Sequence, residues 1–284
     1  MSAIEIRDLS KKFNEFEVKI ENLDIEKGYI TGFIGPNGSG KTTTIKLIMN
    51  MLFKDSGSIK VFGKESNIND ISIKEIIGYV GDISGYLQEL KLKNIKRGVA
   101  AFYKNWDDDL YKRYVDLFKL DEKKVYKELS KGQQKKFELV MALSHHPKLI
   151  IMDEPTANLD PIVRNEFLDI LQEHIEKEEA TVFYSTHITS DLDKVADYLV
   201  FIYEGRIVLT GDKESILEKH KIIRGSSELL DSDTKKELIS YNKNSFGFNG
   251  LTSNIKSAYE VFGDEVVYDN VNLEDILMYY TKGC

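Results

Sequence analysis

The sequence predicts an α/β fold on a largely parallel sheet, with a helical subdomain inserted into it and a small α+β appendage after it. Three observations predict this. Short β-rich runs at residues 4–9, 29–34, 149–152, 181–184, 198–202 and 206–210 alternate with longer helical patterns over most of the first 220 residues. Several of these runs are apolar at every position, as strands are when both faces of a sheet are covered, so they belong at its centre. Between about residues 85 and 142 the β signal gives way to a helical stretch carrying Trp106, Tyr111, Tyr114 and Phe118. After His220 the pattern becomes short and mixed: an apolar run at 221–224, a helix over 231–240, a Gly/Asn turn at 244–250, then pieces at 255–262, 265–268 and 273–280. The expected division is a domain over 1–220 and an accessory one over 221–284, without internal repeats.

Composition narrows the function. With 284 residues and 42% hydrophobic content the chain can bury a sizeable core. Its formal charge of −8 lacks the basic footprint of a protein that holds nucleic acid through phosphates, so no nucleic-acid partner is expected. No apolar run reaches the roughly 18 to 20 residues that span a bilayer, and the first residues lack a signal-peptide layout. The only cysteine is Cys284, so neither an intrachain disulfide nor a cysteine metal cage is available.

The strongest motif follows the run at 29–34. Gly35, Pro36, Asn37, Gly38, Ser39, Gly40, Lys41 and Thr42 satisfy the phosphate-binding P-loop pattern in full. Glycines let successive backbone N–H groups converge on phosphate oxygens, and a helix starting near Lys41 aims its positive end at the same anion. Lys41 is expected on the outer phosphates, Thr42 on Mg2+, and Thr43 beside them in the nucleotide site. The apolar run at 149–152 leads into Asp153 and Glu154. Ligands of such sheets bind beyond the carboxyl ends of the strands, which brings both acids to the phosphates. Asp153 is the natural Mg2+ partner, and Glu154 is placed to orient and deprotonate the attacking water.

Many P-loop enzymes share those parts, and other residues set the class. Leu129, Ser130, Lys131, Gly132 and Gln133 resemble the ABC signature, usually LSGGQ, with Lys131 at its third position. With the P-loop, the strand ending in Asp153 and Glu154, the turn Ala157, Asn158, Leu159, Asp160, and the triplet Ser185, Thr186, His187, the chain resembles a complete ABC ATPase cassette over residues 1–220. The resemblance implies that Ser130 to Gln133 reach the γ-phosphate bound by an opposite subunit, that His187 is the switch histidine, and that Asp160 carries information between the two sites. It places Phe13 under the adenine, with Phe16 as the rival for that role. His145 and His146 read as residues at a helix C-terminus, where a cation suits the dipole.

One position departs from the family pattern. The loop that normally supplies Gln to the metal here supplies Asp82, whose side chain is shorter by about 1.5 Å; Gln88 is the alternative. Asp82, Lys131, the stretch at 102–107 and the segment at 273–277 are similar to bacterial ATPases of ABC-2-type exporters, the YtrB-like and bacitracin-resistance-like groups in particular. That resemblance implies ATP and Mg2+ as ligands and a homodimer, or a heterodimer with another ABC ATPase. It also implies a separate integral membrane transporter subunit docked near residues 82–92, and a peripheral position on the cytoplasmic face of the membrane. The alternative is a soluble ABC ATPase working on ribosomes or nucleic acid. Against it stand one cassette in the chain and only 89 positions between Lys41 and Ser130, too few for a long coiled-coil insertion.

Overall fold

Burial of both faces of one sheet organises the chain. The computed structural model describes residues 2–67, 70–157 and 159–282. Among these residues the elements run β1 (Ser2–Lys12), β2 (Glu17–Glu26), β3 (Ile30–Ile34), α1 (Lys41–Ile48), β4 (Ser56–Val61), β5 (Lys64–Glu65), α2 (Ile71–Lys74) and β6 (Ile77–Val80). Then follow α3 (Leu92–Ala100), α4 (Asp108–Leu117), α5 (Lys131–Leu143), β7 (Leu149–Asp153), α6 (Pro161–Glu178), β8 (Thr181–Thr186), α7 (Thr189–Val195), β9 (Tyr198–Tyr203), β10 (Arg206–Asp212) and α8 (Lys213–Lys219). The chain ends with β11 (Lys221–Gly225), β12 (Ser240–Asn244), β13 (Gly247–Thr252), α9 (Ile255–Phe262), β14 (Val267–Asn270) and α10 (Leu273–Lys282).

The central sheet has the order β10-β9-β3-β8-β7-β6, parallel except for β10. Side chains alternate across it with the two-residue period of a strand. Ile30, Ile34, Ile150, Met152, Val182 and Tyr184 pack on one side with α5 and α6. Phe33, Leu149, Ile151 and Phe183 pack on the other, against α1 and a second sheet. Hence β3, β7 and β8 are buried at every position and read as continuous apolar runs. The run at 4–9 is a strand of a different sheet, antiparallel with order β2-β1-β4-β5, whose members β2 and β4 alternate polar with apolar residues and carried a weaker signal. Between residues 85 and 142 the described structure is helical: α3, α4 and all of α5 but its last residue, with a 3-10 turn at Tyr126–Glu128.

The region after His220 forms its own antiparallel sheet, β12-β13-β11-β14, with α9 against it. Two local expectations fail there. Residues 231–240 are not one helix: Asp231 Oδ1 accepts from the amides of Asp233 (2.8 Å) and Thr234 (2.9 Å), only Thr234–Glu237 winds into a 3-10 turn, and Ser240 pairs with Leu251 in a hairpin. Nor is 244–250 a turn throughout, because β13 begins at Gly247, where a Cβ would stand 2.3 Å from Gly225 O. Helix α10 returns to the first part of the chain: Leu273 and Ile276 join the core containing Ile34, Leu199, Phe201 and Ile216, and Tyr280 packs on Phe201 and His220. Among the described residues no helix is long and apolar enough to cross a membrane. Cys284 lies outside the described residues.

The two adjacent histidines differ in kind. His145 is buried, stacked on Tyr103 at 3.9 Å, and burial pushes its pKa down to about 4, so it is no cation for the helix end. His146 lies between Glu178 (2.9 Å) at the end of α6 and Asp107 (3.2 Å), the N-cap of α4. Burial opposes its charge, but hydrogen bonds to Glu178 and Asp107 outweigh that and raise its pKa above the ordinary 6.5. A raised folded-state value means stabilisation that is complete below the unfolded pKa and lost as pH rises through the raised one. His146→Gln should therefore lower the melting temperature more at pH 6 than at pH 8.5, and equal losses at both would show that the imidazolium contributes nothing.

Candidate nucleotide site

Three strand ends meet at one edge of the central sheet. Register pairs Ile34 with Thr186 and Asp153 with Ser185, so the loop after β3, the acids at the end of β7 and the histidine after β8 emerge side by side. The loop is shaped by its glycines. A Cβ at Gly35 would stand 2.2 Å from Ile202 O, and Gly38 and Gly40 have φ of 81° and 109°. Ser39 is buried; its amide donates to Pro36 O (3.2 Å), its carbonyl accepts from Gly205 N (2.9 Å), and its Oγ has no hydrogen-bond partner among the described residues. Helix α1 starts at Lys41. A cavity of about 350 Å³ is lined by Asn37, Gly38, Gly40, Lys41, Thr42, Thr43, Asp82, Glu154 and Phe16.

Lys41 Nζ donates to Gly35 O (2.7 Å) and Pro36 O (3.2 Å) and pairs with Glu154 Oε1 at 3.3 Å. Glu154 Oε2 accepts from His187 Nδ1 (2.8 Å) and the His187 amide (3.3 Å). Lysine, glutamate and histidine thus form one chain, with Lys41 and Glu154 in the cavity wall and His187 outside the lining. Glu154 has φ 48°, a left-handed conformation costing about 1–2 kcal/mol, and its amide donates to Ser185 O (2.9 Å). Asp153 is 1% exposed and accepts from Ser185 Oγ (3.1 Å). Burial is the main reason its carboxyl titrates above the usual range; hydroxyls of Thr42 and Ser185 oppose the shift, while Glu154 and Asp82 add to it.

Comparison with known proteins decides the family. The sequence profile described as ABC transporter matches residues 18–157. The bacitracin transport ATP-binding protein BcrA of Enterococcus faecalis is 32% identical over 241 residues, 82% of this chain and 75% of that protein. The ABC transporter ATP-binding protein YtrB of Bacillus subtilis is 29% identical over 218 residues, 76% and 74% of the two chains. A solved ATP-binding subunit of an ABC transporter matches the fold with a TM-score of 0.69 at 27% identity, covering 76% of this chain and 92% of its own. This chain belongs to the ABC transporter ATP-binding proteins. It is an ATP hydrolase of that family, with the family's P-loop fold, and two of its relatives carry the names of the groups that the motifs resemble.

The ABC motifs do not all lie in one place. The cavity lining contains none of Ser130, Lys131, Gly132 and Gln133. Ser130 caps α5: its Oγ accepts from Gln133 N (3.2 Å), and Gln133 Oε1 accepts from Ser130 N (3.1 Å). Gly132 packs on α6, where a Cβ would come within 3.2 Å of Val163, next to Asp160. Asp160 caps α6 by accepting from Ile162 N (3.1 Å) and Val163 N (3.0 Å). Asn158 lies outside the described residues. Phe16 is in the cavity wall, and Phe13, 40% exposed, stacks on it at 6.4 Å. Asp82 lines the cavity, whereas Gln88 does not.

A buried polar cluster behind Glu154 escaped the sequence reading. Thr156 and Tyr184 hydroxyls both bond to Asp191 on α7, Tyr184 at 3.1 Å, and Arg164 Nε lies 3.8 Å from the other carboxylate oxygen. The cluster ties the segment after Glu154 to the helix after His187. Each residue alone reads as an ordinary turn, strand or helix position, and no local pattern marks them as a group. The loop geometry carries a direct expectation. Gly35→Ala, which has no room for its methyl group, should weaken ATP binding at least about tenfold in a titration, and unchanged affinity would contradict this loop packing.

Proposed function

We propose that the chain is the ATP-driven clamp of a membrane exporter, two ABC ATPase subunits closing around two ATP molecules. One observation carries this reading: Lys41, Asp153, Glu154 and His187 gather at one edge of the sheet, while Ser130 to Gln133 sit at a capped helix start outside that cavity. A single copy therefore holds half of each composite site. A homodimer supplies both halves, as does a heterodimer with another ABC ATPase. Exposed Ile83 and Leu87, close in sequence to Asp82, support docking of an integral membrane subunit near residues 82–92. The complex would sit peripherally on the cytoplasmic face. Export rather than import follows the bacitracin transport of the named relative.

In the proposed cycle the phosphates of ATP settle on the loop amides and take Lys41 from Glu154. That leaves the Glu154 carboxylate, held from behind by His187, to orient water and accept its proton as the water oxygen attacks the γ-phosphorus and the bridging P–O bond to ADP breaks. Ser130 and its neighbouring amides offer the opposite subunit's γ-phosphate a helix N-terminus, and Lys131 adds a cation there. The buried carboxyl of Asp153 and the hydroxyl of Thr42 fit a hard divalent cation, because burial without a positive partner is what raises the Asp153 pKa. They would hold Mg2+, with Asp82 beside them, and the ion would supply charge neutralisation for the phosphates. Phe13, with Phe16 behind it, offers the ring face for adenine.

Residues 1–220 are then the cassette. The sheet after His220, anchored by α10 on the core near Ile34, is read as an accessory domain that braces it. Replacing Glu154 by Gln should leave ATP binding intact, accumulate an ATP-bound dimer in gel filtration, and cut turnover by about 10²-fold or more. A variant that stays monomeric with ATP and hydrolyses it normally would end this mechanism. Phe13→Ala should raise the KM for ATP about two- to tenfold. A larger loss on Phe16→Ala would move adenine to that ring.

A further inference from the structure

Helix α5 holds more than the signature at its start. Lys135, on its second turn, is mostly buried, and its ammonium meets three acceptors: the carbonyls of Gly81 and Asp82 (the latter at 3.0 Å) and Glu138 Oε2 (3.0 Å). Three donors with three acceptors leave this ammonium fully satisfied. Glu138, 5% exposed, accepts in turn from the hydroxyl of Tyr126 (2.6 Å), which is 0% exposed. The two carbonyls belong to the first residues after β6, directly beneath the side chain that reaches the nucleotide cavity. On its other side the same loop faces a second cavity of about 490 Å³, lined among others by Asp82, Ser84, Lys131, Lys135, Glu138 and Leu159. With open space on that side, side-chain packing does not fix the loop, and the Lys135 bonds take over that task.

We propose that Lys135 is a positioning residue, pinning the backbone at Gly81 and Asp82 to the signature helix so that Asp82 is held in its own nucleotide site. The proposal rests on the reading of Asp82 as a participant in hydrolysis. Its mechanical consequence is that α5, whose first residues serve the opposite subunit's ATP, cannot shift against the sheet without moving Asp82. Glu138 is the charged anchor: an unpaired carboxylate buried there is strongly unfavourable, so ammonium and carboxylate hold each other and the loop together.

The test uses the full chain with both charges removed, Lys135→Met with Glu138→Gln, so that no buried charge is stranded. Expected are a kcat lower by about tenfold with a KM for ATP within about twofold, and faster amide exchange at residues 82–84. Asp82→Asn should lower kcat in the native background and add nothing in the doubly substituted one. Glu138→Gln alone, which keeps the ammonium but weakens its anchor, should also speed exchange at 82–84 and serves if the double variant does not fold. Native exchange rates at 82–84 in these variants, or losses of kcat that multiply independently with Asp82→Asn, would overturn the proposal. Should Asp82→Asn alone keep full kcat, the reading of Asp82 fails by itself, and exchange at 82–84 then decides whether Lys135 holds the loop.

Discussion

The constraint on which the rest depends is the parallel register of β3, β7 and β8, locked by burial on both faces. Slipping one strand by a residue would turn its apolar side chains to the wrong layer, so the register is strongly specified. Asp153 opposite Ser185 and Ile34 opposite Thr186 then follow, and with them the meeting of the loop, the two acids and His187. Lys41 lies more than a hundred positions before Glu154 and His187, yet the sheet edge joins the three by an ion pair and a hydrogen bond. The left-handed backbone at Glu154 is tolerated because its amide and carboxylate are both held from β8 and the residue after it.

Charge is handled differently at the centre and around it. Asp153 is buried with hydroxyl partners only, an arrangement that leaves negative charge in want of a cation. Asp191 is buried as deeply but is surrounded by Thr156, Tyr184 and, more distantly, Arg164. The first arrangement suits a ligand site and the second a brace, and both depend on the same desolvation penalty. Lys135 and Glu138 repeat the brace on the helical side, where the Asp82 loop borders open space.

The appendage is joined to the core by apolar contact more than by polar bonds. Leu273 and Ile276 of α10 cover Ile34, Leu199, Phe201 and Ile216, so the end of the chain packs against the strand that launches the phosphate loop. Losing that helix would uncover apolar surface of β3 and β9, which makes α10 part of the core's own stability.

The sequence by itself determined the motifs of the candidate site and the central strands. The P-loop, the acids after β7, His187 and the signature are local patterns whose residue types follow from what phosphate binding and hydrolysis demand, and doubly buried strands announce themselves as apolar runs. Only the tertiary structure decided the rest. Strands β2 and β4 bury one face and blend into a polar background, and the hairpin at 240–252 owes its shape to pairing with distant residues. Likewise Phe16 rather than Phe13 lines the cavity, Asp191 bonds to Thr156 and Tyr184, and Lys135 reaches Gly81 and Asp82. Those contacts join positions far apart in the chain, and no local pattern encodes a partner brought near by the fold.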